Sequence, residues 1–304
     1  MVFPGQGSQS VGMQADLAAE FPVVEETYAE ASAILGYDLW ALVQAGPAEE
    51  IGQTTVTQPA MLAAGVAAFR VWNAAGGAQP RLLAGHSLGE YSALVAGGAV
   101  SFADAMKVVI QRSKLMQNAV PGGIGGMAAV LGLDDETIIN VCEEASLIGI
   151  AEPVNFNSPG QVVIAGHREA LDRAVVQAKE AGTRRAIILP VSVPSHSSLM
   201  IGAGESLRET LAEAEFTSPT ITVVAATDGV PYSDPDETRD RLARQVFGPV
   251  QWVNTVNGMI EMGASAFVEC GPGKVLSGLC RRISKTTPVA FIDSSDSLQK
   301  ALQI

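Results

Sequence analysis

The chain reads as an α/β protein with a largely parallel sheet and helices on both of its faces. Three observations predict this. Strand-like and helix-like segments alternate along most of the 304 residues. A serine stands at a strand-to-helix turn in "AGHSLGEYSALVAGG", Ala84 to Gly98. A Pro/Gly stretch, "VPGGIGGM", then opens a segment with a rhythm of its own, β-α-β-β-α-β, the order of a ferredoxin-like unit.

The elements follow in chain order. A short N-terminal strand leads into the Gly-rich turn "FPGQGSQ", Phe3 to Gln9. Residues 58–75 read as helix, 82–84 as strand, and 90–96 as helix stopped by Gly97-Gly98. Another helix covers 104–119. Beyond the Pro/Gly break come strand 127–133, helix 134–146, strands 150–156 and 161–166 around the turn "NSPG", helix 168–182 and strand 185–191. The larger alternation then resumes with helix 198–214, strand 220–226, helices near 236–247 and 250–262, strand 265–270, helix 274–284 and strand 288–292. This divides the chain into a discontinuous large α/β domain, 1–121 with 197–304, and an inserted ferredoxin-like (βαββαβ) subdomain, 122–196.

Composition narrows the function. Hydrophobic residues make up 47% and charged residues 17%, as expected of a well-packed globular protein. Nineteen Lys and Arg face 32 Asp and Glu, a net charge of −13, which argues against nucleic acid as a partner. No apolar run reaches the length of a membrane span, and "MVFPGQGSQ" lacks the basic and apolar regions of a secretory signal. Cys142, Cys270 and Cys280 lack metal-ligand spacing, so small core thiols in a reducing cytoplasm are expected. Three histidines without a Cys/His cluster predict no metal site, and no cofactor is expected.

Four features carry chemistry. Ser87 sits in Gly-x-Ser-x-Gly at a strand-to-helix turn, the context this motif needs to present a nucleophile rather than an ordinary tight turn. The following helix N-terminus offers free N–H groups, and the Leu88 N–H is placed to face a developing oxyanion. A serine needs a base. His86 is adjacent and points away at a sharp turn, and His167 reads as a surface or helix-start residue. His196, in "LPVSVPSHSSLM", falls where the small unit returns to the large one; it reads as the base or as a helix-start histidine. Arg112 shares a helix face with Ala105, Val108, Val109, Leu115, Met116 and Ala119. A guanidinium there needs a partner, either an internal carboxylate or a substrate carboxylate held in bidentate fashion. The turn around Gln6 can present backbone N–H groups to an anion, whereas "GPGK", Gly271 to Lys274, lacks P-loop spacing and reads as a helix start.

Together these pieces closely resemble the malonyl-CoA:acyl carrier protein transacylases of bacterial fatty acid synthesis. The matching stretches are "FPGQGSQ", "GHSLGEYSALV", "QRSKLMQ", "PVNFNSPGQVVIAG", "VSVPSHSSLM", "QVFGPVQW" and "GPGKVLSGL", and they span essentially the whole chain. The first strand is shorter here than the family usually carries. The resemblance implies an α/β hydrolase-like large domain with a ferredoxin-like insertion, acting as a monomer. It implies Ser87 as nucleophile, His196 as base, the Gln6 and Leu88 N–H groups as oxyanion hole, and Arg112 as partner of the malonyl carboxylate. It also implies that Gln245 orients His196 through its main-chain carbonyl, which suits a residue in the last turn before Gly248-Pro249, where helix carbonyls lack internal partners. The implied partners are malonyl-CoA and holo acyl carrier protein, an acidic protein. Arg184, Arg185, Arg281, Arg282 and Lys285 are the candidate basic docking residues on an otherwise acidic chain.

Three rival readings remain at this level. An α/β-hydrolase thioesterase would order its triad Ser…acid…His, yet about a third of the chain follows His196 and no "HGGG" loop is present. A non-catalytic binding module would not keep Ser87, His196, Arg112 and Gln245 together. A discrete acyltransferase of polyketide assembly would use the same residues and is the hardest to separate.

Overall fold

The computed structural model describes residues 1–191 and 193–304. Strand β1 (Val2–Phe3) is completely buried. Four helices that the sequence reading leaves unassigned follow it: α1 (Ala15–Glu20), α2 (Val23–Leu35), α3 (Leu39–Ala45) and α4 (Ala48–Ile51). Helix α5 (Thr54–Ala74) is buried on nearly every side, as its continuous apolar run "PAMLAAGVAAF" requires. It starts four residues before the expected position and carries Pro59 inside it, where a proline ordinarily marks a first turn. Next come β2 (Leu82–Gly85), α6 (Gly89–Ala96) and α7 (Phe102–Asn118). The Ser101 hydroxyl accepts the Asp104 N–H at 3.0 Å and so starts α7 two residues before the expected position.

The inserted segment contains β3 (Gly125–Leu131), α8 (Asp135–Ala145), β4 (Ala151–Ser158), β5 (Gln161–His167), α9 (Arg168–Glu180) and β6 (Arg185–Ile188). These strands form an antiparallel sheet in the order β4-β5-β3-β6, the expected βαββαβ arrangement. Helices α8 and α9 cover one face through Ala128, Val130, Val162, Ile164, Leu171 and Ala174. The opposite face carries Met127, Val154, Val163 and Ala165. Strand β6 stops short of the expected residue 191, since Pro190 has no N–H to give a ladder.

A 3-10 turn at Ser198–Met200 leads into α10 (Ile201–Glu213). Then follow β7 (Thr222–Val224), α11 (Pro235–Gln245), α12 (Trp252–Glu261), β8 (Phe267–Cys270), α13 (Val275–Ile283), β9 (Val289–Ile292) and the unforeseen α14 (Ser295–Ala301), capped by Ser294. The second sheet is parallel throughout, in the order β7-β2-β1-β8-β9. Val2 pairs with Ala84 on one side and Glu269 on the other, so β1 is the central strand. The loops after β1 and β2 therefore emerge side by side at the carboxyl end of the sheet, where open α/β sheets bind ligands. The inserted sheet is also tied to the segment between α11 and α12: the Phe156 N–H donates to Val250 O at 2.9 Å, and the Val250 N–H to Val154 O at 2.8 Å.

Candidate active site

Ser87 follows β2 and precedes α6 on a turn that forces its φ to 52°, in the left-handed region. Such strain in a non-glycine residue persists only where the surroundings impose it. Both glycines of the motif explain how. A Cβ on Gly85 would lie 1.9 Å from the carbonyl carbon of Gly89, and one on Gly89 would lie 2.0 Å from Phe3 O. The turn is thus pressed onto itself and onto the end of β1, which lifts the serine hydroxyl clear of the sheet.

Ser87 Oγ meets His196 Nε2 at 2.7 Å. His196 is itself held at φ 68° and is only 4% exposed. Its Nδ1 lies 2.7 Å from the main-chain oxygen of Gln245, the last residue of α11. A carbonyl only accepts, so Nδ1 carries the proton and Nε2 presents a lone pair to the serine. Burial pushes the His196 pKa down to about 3; the Arg112 charge adds to this, and the bond to Gln245 opposes it. The ring is therefore neutral at pH 7, as a base must be.

Arg112, on α7, is 1% exposed. Its Nη1 donates to Gln58 Oε1 at 2.6 Å, and its Nη2 to Gln245 Oε1 at 2.9 Å and to Ser87 Oγ at 3.2 Å. The internal carboxylate that one reading of the sequence allowed is not there: among the described residues the guanidinium pairs with no acid. Its Nε has no partner either. A buried cation with no acid in direct contact is costly; the Glu90 charge acts on it only from beyond the Gln245 amide, so the site favours an anion that pairs with it.

These groups line a cavity of about 460 Å³, within the size range of small-molecule sites. Its walls come from both sheets: Ser87, Leu88 and Gln6 from one side, and Met127, Asn157 and Val163 from the other. The Gln6 and Leu88 N–H groups have no backbone acceptor among the described residues. His86 turns away from Ser87, bonding Asn157 Oδ1 at 2.8 Å against the Trp252 ring. His167 ends β5, where its Nδ1 accepts the Ile150 N–H. Gly271 to Lys274 leads into α13, as its spacing suggested. The three cysteines are free and buried, and no group of metal-ligating side chains occurs among the described residues.

The basic candidates separate. Arg282 Nη1 bonds Gln161 Oε1, and Gln161 lines the cavity. Gln161 pairs with Leu131, and Leu131 with Arg185, so Arg185 lies two strands across the small sheet from the residue that Arg282 bonds. Arg184 lies over Gly132, and Arg281 donates to Val289 O. Lys285 is exposed.

Sequence reasoning missed Gln58, Glu90, Asn157 and Tyr232. Gln58 stands among threonines just before the apolar run of α5, so it breaks no apolar face in the way Arg112 does. Glu90 reads as an ordinary acid in a helix's first turn, and nothing local points to Asn157 or Tyr232.

The fold and the serine–histidine pair on its elbow define an acyl-transferring protein. The chain belongs to the acyl transferase domain family, which matches residues 1–293. Within that family it is 54% identical to the malonyl CoA-acyl carrier protein transacylase of Escherichia coli K12, over 100% of this chain and 98% of that one. The structure of the malonyl CoA-acyl carrier protein transacylase of Coxiella burnetii superposes with a TM-score of 0.98 at 45% identity, covering 100% of this chain and 96% of that one. A malonyl-transacylase solved in complex with its type II PKS acyl-carrier protein also gives 0.98, at 52% identity, covering 100% and 98%.

Proposed function

We propose that the chain transfers a malonyl group from malonyl-CoA to the phosphopantetheine thiol of an acyl carrier protein, through an acyl-Ser87 intermediate, in fatty acid biosynthesis. One observation carries the reading: His196 Nε2 and Arg112 Nη2 converge on the same Ser87 Oγ. A base and a carboxylate-binding cation at one nucleophile suit an acyl group that ends in a carboxylate.

In the first half, Ser87 gives its proton to His196 Nε2 as Oγ bonds the thioester carbon. The negative oxygen of the tetrahedral intermediate faces the Gln6 and Leu88 N–H groups. The C–S bond breaks, and the imidazolium returns the proton to the coenzyme A thiolate. In the second half, the pantetheine thiol gives its proton to Nε2 and its sulfur bonds the same carbon. The Oγ–C bond then breaks and Ser87 recovers its proton. The Gln245 carbonyl keeps Nδ1 protonated in both halves.

Residues 122–196 act as the inserted unit that supplies the second cavity wall. Arg282, which bonds the cavity-lining Gln161, and Arg185, two strands across the small sheet from it, are the docking residues favoured for an acidic carrier. Three free, buried cysteines fit a cytoplasmic enzyme. The relative bound to a type II PKS acyl-carrier protein supports a second reading, the same transfer in polyketide assembly.

The test is intact-protein mass after mixing with malonyl-CoA, without and then with holo acyl carrier protein. One malonyl adduct, missing in Ser87→Ala and passed to the carrier, is expected. An adduct released to water at the same rate whatever the acceptor marks a hydrolase, and no adduct marks a binding module. Competing fatty-acid and polyketide carriers separates the two pathways.

A further inference from the structure

Glu90 lies in the first turn of α6 and is completely buried, and the reaction above makes no use of it. Its neighbours are three donors. Tyr232 Oη donates to Oε1 at 2.7 Å and the Ala226 N–H at 3.0 Å, while Gln245 Nε2 donates to Oε2. A carboxylate accepts all three and has no proton to misplace. Burial pushes its pKa up; the three donors and the Arg241 guanidinium pull it back.

The consequence falls on Gln245. The two ends of an amide have nearly the same shape, so its orientation is set by its partners. Nε2 is claimed by Glu90 and by Ser87 O at 2.8 Å, which leaves Oε1 to accept Arg112 Nη2 at 2.9 Å. A reversed amide would set its NH2 against the guanidinium and its oxygen against two acceptors.

The geometry points to Glu90 as a positioning residue for acyl-group selection: it fixes the Gln245 amide so that the amide oxygen anchors the Arg112 guanidinium beside the nucleophile. This rests on the reading of Arg112 as partner of the malonyl carboxylate. It does not involve the base, because His196 bonds the main-chain oxygen of Gln245 and not its amide.

The test compares Ser87 acylation by malonyl-CoA and by acetyl-CoA in Glu90→Gln, which presents an amide where Gln245 needs an acceptor. The malonyl-over-acetyl ratio is expected to fall about tenfold, the worth of a hydrogen bond to a charged group, with the acetyl rate retained. An unchanged ratio, or an equal fall in both rates, overturns the proposal. Tyr232→Phe loosens Glu90 without offering Gln245 a second donor, and its ratio is expected to stay at the wild-type value. An equal fall there would mean general loosening and would also overturn the proposal. Should Glu90→Gln fail to fold, Glu90→Asp keeps the charge but withdraws it from Gln245; its ratio is expected to fall, and an unchanged ratio counts against the proposal. Arg112→Ala separates the two levels. A ratio unchanged in Arg112→Ala removes the clamp reading itself, whereas a ratio changed there and not in the Glu90 variants removes only the role of Glu90.

Discussion

Arg112 Nη2 stands 3.2 Å from Ser87 Oγ, on the oxygen whose proton faces His196. The nucleophile therefore accepts from a cation while it donates to its base. A malonyl carboxylate that engages the guanidinium competes for that donor and returns a lone pair to Ser87. On the proposed reading of Arg112, substrate recognition and release of the nucleophile are one event, which an acetyl group is expected not to trigger.

Arg112→Ala is accordingly expected to cut malonyl acylation roughly tenfold to a hundredfold, the worth of a charge-assisted bond, and to spare acetyl acylation. Stopped-flow acylation with the two thioesters measures it. Equal losses for both would contradict the clamp.

The pH profile carries a second expectation. Burial and the Arg112 charge hold His196 at about 3, against an ordinary value of 6.5. The acid limb of kcat/KM, which reports the free enzyme, is expected well below 6.5. Pairing Arg112 with a carboxylate removes one of the lowering causes, so the acid limb of kcat for malonyl-CoA is expected at higher pH than that of kcat/KM. Coincident limbs would show that the two groups do not communicate.

The same shift bears on stability. The unfolded chain protonates His196 near 6.5 and the folded chain only near 3, so between these values the unfolded state binds more protons. This contribution is complete above pH 6.5 and is lost as pH falls toward 3. Denaturant midpoints recorded across that window are expected to fall less steeply for His196→Phe than for the parent. Parallel curves would mean that the histidine is not held neutral by the fold.

Gly89→Ala is expected to destabilise by more than about 3 kcal/mol, beyond the usual range of point substitutions, because its Cβ meets Phe3 O at 2.0 Å. Backbone, not a movable side chain, stands in the way. Melting of the purified variant decides the matter, and a parent-like midpoint would show that the elbow can open.

Charge reversal at Arg185 and Arg282 is expected to raise the apparent KM for carrier protein and leave that for malonyl-CoA in place. Steady-state assays that vary each substrate in turn provide the check. If both constants stay fixed, carrier protein docks elsewhere.

The fold and the residues that gather at the candidate site were largely legible because their signals are local. Gly85 and Gly89 announce the elbow within five residues, and Arg112 stands out against the apolar face of its own helix. The partners of those groups were not legible. Gln58 and Gln245 reach Arg112 across 54 and 133 residues of chain, and Tyr232 reaches Glu90 across 142. No periodicity reports an amide that matters only after the chain has closed. Helices α1, α3 and α4 went unassigned because they are short, and α2 because its burial depends on packing against α5 and α7 rather than on a strong pattern of its own.

The group that orients His196 is a peptide oxygen, and every amino acid has one. A substitution scan at position 245 can therefore alter the guanidinium's anchor yet never delete the imidazole's acceptor. That acceptor also does not titrate, so the base has no acidic companion whose protonation could silence it. What would disturb it is a change of path in the backbone, and that path continues into Val250, which is hydrogen-bonded to the inserted sheet on both its N–H and its carbonyl. Sensitivity of the base is thus expected to map onto residues that bend the main chain between 245 and 250, far more than onto the chemistry of any side chain there.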